Sequence, residues 1–112
     1  MDIEVFERNV TLNNEQKSLI TRRLEFALGR FEMHLGTVKV TICDLNGPRG
    51  GCDLQCRLQV AMRSGREVLV NEVGETVEAS ITAAADRAAR TIARRLQKSR
   101  DRQGLSMSGE PR

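Results

Sequence analysis

The sequence predicts a two-layer α+β sandwich of order β-α-β-β-β-α, a four-stranded sheet with both helices on one face. Three observations lead there. Four short segments alternate apolar and polar residues with period two, and two longer segments, about 13–34 and 76–102, place apolar residues at helical spacing. The cleanest strand is apolar on one side only, so its sheet needs a single cover. A strand-helix-strand opening requires a right-handed crossover with the first two strands parallel, and the later strands then follow as a meander of hairpins.

Ile3 and Val5 alternate with Asp2 and Glu4 in the first strand, which leaves Phe6 on the outward parity. After a turn through Arg8-Asn9-Val10, Thr11 or Asn13 can cap a helix, and Asn13 with Gln16 forms a capping-box pattern. Ile20, Leu24, Ala27, Leu28 and Phe31 give that helix its buried stripe from about 13 to 34, with Gly36 suited to the left-handed stop. Val38, Val40 and Ile42 alternate with Lys39, Thr41 and Cys43 in the second strand, which ends in the turn sequence 44–51. Leu54, Cys56, Leu58, Val60 and Met62 face one way in the third strand, and Asp53, Gln55, Arg57, Gln59 and Arg63 the other. Ser64-Gly65 turns the chain into a fourth strand, 67–71, which Gly74 closes before a helix capped near Glu75 or Thr76. Val77, Ile81, Ala84, Ala85, Ala88, Ile92 and Leu96 form the narrow, Ala-rich stripe of that helix, expected to reach about 102. Residues 1–102 are thus one domain, and 103–112, rich in Gly and Ser, are expected to be a flexible tail.

At 112 residues the chain buries roughly two thirds of its unfolded surface, enough for one core. No apolar run approaches the ~18 residues of a membrane span, and the acidic start Met-Asp-Ile-Glu does not resemble an export signal, so a cytoplasmic protein that makes no membrane contact is expected. Three cysteines, Cys43, Cys52 and Cys56, are an odd number in such a chain, which favours reduced thiols over a disulfide framework. Phe6, Phe26 and Phe31 are the whole aromatic content, too few for a base-stacking platform of the RNP kind.

The net charge of +3 hides a lopsided molecule. Residues 87–102 hold seven basic side chains against Asp101, whereas residues 1–86 hold ten basic and thirteen acidic ones. A concentrated cationic segment on a nearly neutral body is the footprint of a polyanion partner, because each Lys or Arg that meets a phosphate releases condensed counterions. Counting 100° per residue from Ile81, Arg87, Arg90, Arg94 and Lys98 fall at about 240°, 180°, 220° and 260°, so they face away from the core together, with Arg95, Arg100 and Arg102 nearby. A merely solvated helix face would interleave acids at i,i+4, and only Asp86 with Arg90 and the neighbours of Asp101 offer that. Arg22, Arg23 and Arg30 on the first helix extend the patch if the two helices lie side by side.

Other candidates carry less. Asn46-Gly47-Pro48-Arg49-Gly50-Gly51 lacks the Gly-Lys-Ser/Thr ending of a nucleotide loop and precedes a strand, so it reads as a hairpin loop whose tip residue Arg49 can touch a phosphate. Cys52 and Cys56 share the apolar strand parity and read as buried small hydrophobes; no zinc spacing links them to Cys43 and His34. His34, in the last turn of the first helix, has no identifiable nucleophile, and the acids are scattered, so no catalytic residue, metal, cofactor or small-molecule substrate is expected.

Ile20-Thr21-Arg22-Arg23-Leu24, Val38-Lys39-Val40-Thr41-Ile42, the 44–51 loop and Ala88 to Leu96 before Lys98 together resemble the ribosome hibernation-promoting and ribosome-associated inhibitor proteins, also labelled sigma-54 modulation proteins, over about residues 2–100. That resemblance implies a domain similar in shape to double-stranded RNA-binding domains, lodged in the mRNA and tRNA channel of the 30S subunit and blocking the A and P sites. It implies contacts to 16S rRNA phosphates from Arg22, Arg23, Arg90, Arg94, Arg95 and Lys98. Where the family commonly reads Asp-Met-Tyr-Ala-Ala-Ile-Asp, this chain has Thr76-Val77-Glu78-Ala79-Ser80-Ile81-Thr82, without the Tyr and both acids. The C-terminal domain by which long members dimerise ribosomes has no counterpart here, so a short form is expected without ribosome dimerisation by that route; of the oligomeric states a monomer is favoured. Two alternatives remain open from the residues: a general double-stranded RNA or DNA binder, and a protein-interaction module using Phe6, Cys43 and Gln55 on the outer sheet face.

Overall fold

The computed structural model describes residues 1–45 and 53–108, those from 99 onward by backbone alone. Strand β1 (Asp2–Arg8), helix α1 (Asn14–Leu28), a 3-10 segment (Gly29–His34), strands β2 (Leu35–Asp44), β3 (Leu54–Met62) and β4 (Glu67–Gly74), and helix α2 (Val77–Ser108) follow in that order. The sheet runs β1-β2-β3-β4, with β1 parallel to β2 and the other pairs antiparallel, the α+β layout expected from the periodicities. Helix α2 continues through Ser108, past residue 102. Arg49 and Cys52 lie outside the described residues, as do the side chains of Arg100 and Arg102.

Register explains the single apolar face. Val5, Val40, Leu58 and Val70 form one row across all four strands, and Ile3, Val38, Val60 and Val68 form another. Both rows point at one cluster that contains Ile20, Leu24 and Leu28 of α1 and Ile81, Ala84, Ala88 and Ile92 of α2, so both helices cover the same side. Each fully buried Leu, Ile or Val contributes about 1.5–3 kcal/mol relative to exposure, which makes this cluster the main stabilising element. The opposite face carries Phe6, Thr41, Arg57 and Asn71 in one row, and Arg8, Cys43, Gln55 and Val73 in another.

The helix ends follow from local chemistry. Asn13 accepts from the Gln16 amide at 2.7 Å while the Gln16 side chain accepts from the Asn13 amide at 2.9 Å, a complete capping box. Asn9 takes the left-handed φ of 59° in the turn before it, which Asn tolerates better than most residues. Thr76 caps α2, its Oγ1 accepting from the Ala79 amide at 3.0 Å.

Two expectations for the first helix need correction. The α-helix stops at Leu28 and tightens into the 3-10 segment, a common way for a helix end to satisfy its last carbonyls; this brings Phe31 into the core and sends Met33 out to solvent. Gly36 is not a left-handed stop but a residue of β2, whose pairing shifts between Leu35 and Val38. There Gly36 and Thr37 stand opposite Ala61 alone, a β-bulge.

Candidate nucleic-acid interface

The cations expected on α2 are exposed, but they do not share one electrostatic state. Along the N-terminal half of the helix, carboxylates hold them. Arg87 Nη1 lies 2.7 Å from Glu72 Oε2 of β4, and Arg90 Nη1 lies 2.6 Å from Asp86 Oδ2 one turn earlier. Arg23 Nη2 of α1 lies 2.8 Å from Glu78 Oε2 of α2, and its Nε is buried without a hydrogen-bond partner. An exposed i,i+4 pair such as Arg90 with Asp86 is worth only about 0.3–0.5 kcal/mol, so a phosphate can displace it readily. The other two pairs join separate elements, α1 with α2 and α2 with β4.

Between Arg94 and Lys98 no carboxylate occurs in the helix sequence. Arg94 and Lys98 are exposed and carry no hydrogen bond or ion pair among the described residues. Arg95 Nη1 donates to the Glu67 carbonyl oxygen at 2.9 Å. The Glu67 carboxylate does not reach Arg95, because it accepts instead from Gln59 Nε2 at 2.9 Å on the outer sheet face. Arg95 is therefore oriented by a neutral acceptor and keeps its whole charge.

The two helices do lie side by side, yet they do not merge their cations into one strip. Arg23 and Arg30 line a groove between α1 and α2 with an alanine floor and the acids Glu78 and Asp86 on its rim. Arg22, one residue along, turns to the other side of α1 beside Asn14 and Ser18, its Nε donating to the Ser18 carbonyl at 3.4 Å. Consecutive helical residues diverge by about 100°, so an Arg-Arg pair cannot serve one surface equally. The Arg30 guanidinium sits 4.7 Å from the centroid of the Phe31 ring, a cation–π contact. Phe26, which the helical pattern left unassigned, is 88% exposed at the same groove.

The described residues add two cations that the sequence pattern did not single out. Arg63 and Arg66, from the turn between β3 and β4, come beside Arg95 and Lys98 at the C-terminal part of α2. A Ser-Gly turn flanked by Arg has the composition of any solvated hairpin, so only the packing of α2 over β4 gives these residues a common neighbour. Cys56 is buried, and that burial, with the Glu72 carboxylate opposite, pushes its thiol up to about 12, which suits a packing residue and not a nucleophile. His34 ends the 3-10 segment, exposed, and its carbonyl accepts from the Arg63 amide at 2.9 Å.

The sequence profile of the family described as sigma-54 modulation protein / S30EA ribosomal protein matches residues 3–100. The chain belongs to that family. It is a family of ribosome-associated factors of the hibernation and subunit-interface kind, not known to be enzymes, so the ribosome is the partner that membership supplies. Among solved structures, the chain is similar to the N-terminal domain of Protein Y from Thermus thermophilus, with a TM-score of 0.69 and 23% identity over 84% of this chain and 98% of that one. It is also similar to a ribosomal subunit interface protein from Coxiella burnetii, with a TM-score of 0.73 and 8% identity over 87% of this chain and 99% of that one. At these identities the likeness is one of fold. No curated protein matches the sequence. Among the described residues, no helix is long and apolar enough to cross a membrane.

Proposed function

We propose that this protein is a cytoplasmic translation inhibitor that binds the 30S subunit through 16S rRNA, occupies the mRNA and tRNA channel as a single chain, and blocks the A and P sites. The observation that carries this reading is the stretch of α2 where Arg94, Arg95 and Lys98 meet no carboxylate among the described residues. Such charges recognise a shaped phosphate surface, which suits folded ribosomal RNA better than the reading of base edges. Arg90 joins them on exchanging Asp86 for a phosphate, while Arg22 approaches from α1 and Arg30 from the 3-10 segment that follows it. In the same reading Arg49 and Arg102 supply further phosphate contacts, and Arg23 and Arg87 must first leave their carboxylates.

Sedimentation with purified 30S subunits tests the proposal. The protein should pellet with subunits at low salt and be released at high salt; about four phosphate contacts give a slope of log K against log salt of about −3 to −4. It should also inhibit translation in a purified system at concentrations that saturate the subunits. Failure to pellet at low salt overturns the ribosomal reading. Equal competition by a short RNA duplex would make the protein a general duplex binder instead.

A further inference from the structure

Where α2 passes the turn between β3 and β4, the protein forms a hollow of about 200 Å³. Arg63 and Arg66 enter it from the turn, Arg95 and Lys98 from the helix, and His34 from the 3-10 segment. Met62, buried, and Leu96, half-buried, contribute apolar surface. Four formal positive charges thus converge on one concavity, and among the described residues no Asp or Glu lines it. Of the described carboxylates near these residues in sequence, Glu67 accepts from Gln59 and Glu32 lies 3.9 Å from the N-terminal ammonium.

Two of the four cations are held by backbone oxygens. Arg63 Nε donates to the Leu35 carbonyl at 3.4 Å, and Arg95 Nη1 donates to that of Glu67 at 2.9 Å. The turn itself is fixed by the Gly65 amide donating to Met62 and the Met62 amide donating to Arg66, with Gly65 at a φ of 96° that side chains rarely adopt. A carbonyl orients a guanidinium without cancelling its charge and leaves its remaining N–H groups for an anion. The volume falls below the range of roughly 300–1,000 Å³ usual for sites that enclose a whole small molecule, so it suits one phosphate group with its hydration, not an entire nucleotide.

We infer that this hollow binds a single phosphate group, through Arg63, Arg66, Arg95 and Lys98, and that in the ribosome-bound protein the group is a backbone phosphate of RNA. Only the RNA source rests on the function proposed above; the phosphate site itself rests on the hollow.

The test compares the full-length protein with Arg66→Gln, whose side chain makes no hydrogen bond among the described residues, and with Arg63→Gln/Arg66→Gln. Thermal unfolding establishes that each variant is folded. In the first arm, binding to purified 30S subunits is measured across a salt series; in the second, inorganic phosphate is titrated while the backbone amide resonances of Ser64 and Gly65 are followed. The expected result is a salt slope shallower by up to about one unit in the single variant and about two in the double variant. Unchanged slopes with saturable amide shifts that vanish in the variants would keep the phosphate site and remove RNA as its source. Unchanged slopes with unmoved amides would overturn the inference while leaving 30S binding intact. If the unaltered protein does not bind 30S subunits, the ribosomal reading fails and the amide titration alone decides the hollow.

Discussion

Arg87 and Glu72 form an ion pair of 2.7 Å between α2 and the edge strand β4, with Glu72 only 25% exposed at its side chain. The pair does two things at once: it links the helix to the sheet and offsets one positive charge on the exposed side of α2.

Replacing the acid should therefore uncover the base. Glu72→Gln is expected to steepen the salt dependence of 30S binding by up to about one unit if Arg87 meets a phosphate. Because partly exposed ion pairs are worth about 1 kcal/mol or less, the variant should melt within a few degrees of the unaltered protein. A salt series and a thermal scan check both; an unchanged slope excludes Arg87 from the interface.

The carboxylate-free stretch should dominate binding. Arg94→Ala/Lys98→Ala is expected to lower the salt slope by about two units and to weaken binding to different RNA sequences alike, since phosphate contacts carry no sequence information. Arg23→Ala should leave the slope almost unchanged, because its guanidinium already faces Glu78 at 2.8 Å. Titrating labelled subunits at several salt concentrations separates the two variants, and equal losses would contradict the division drawn along α2.

Gly74 is required by close approach. A Cβ there would lie 2.7 Å from the Ser80 backbone nitrogen and 3.0 Å from Ala79 Cβ, so the strand end or the start of α2 must shift to admit it. Gly74→Ala is expected to destabilise the fold by about 1–3 kcal/mol, as overpacking does. At Gly36 the nearest atom is 3.6 Å away, ordinary contact, so Gly36→Ala should cost clearly less. Urea unfolding of the two variants gives the comparison.

The raised thiol of Cys56 makes stability depend on alkaline pH. Its folded value of about 12 exceeds the ordinary 9.0, so the unfolded chain releases this proton first as pH rises. The stabilisation is complete below about pH 9 and is lost progressively toward pH 12. Melting temperatures measured from pH 8 to 11 should fall more steeply for the unaltered protein than for Cys56→Ala. In the folded state near neutral pH, the half-buried Cys43 should react with a thiol reagent well before Cys56.

Much of the fold was legible because the signals were local. The alternation from Leu54 to Met62 specifies both faces of β3, and of the two caps open in the sequence, Thr11 and Asn13, the structure uses Asn13 with Gln16. Gly36 departs from its sequence signal: a glycine after a helical stripe resembles a stop, whereas the chain enters β2 directly and places Gly36 in the bulge. The charge pattern was only half legible. The pair of Asp86 with Arg90 shows in the sequence at i,i+4, but Arg23 with Glu78 and Arg87 with Glu72 span 55 and 15 positions and form only when the elements pack. For the same reason the sequence pattern places Arg63 only on the polar face of the third strand and gives Arg66 no role, whereas packing of α2 sets both beside Arg95 and Lys98.

The hydrogen bond from Arg95 to the Glu67 carbonyl also bears on kinetics. A long side chain normally surrenders rotamer freedom when it meets its target, a cost of about 0.5–1.5 kcal/mol for each one immobilised. Arg95 surrenders part of that freedom during folding, ahead of any encounter. Such preorganisation lengthens residence once a complex has formed, so loss of this anchor should be felt as faster dissociation more than as slower association.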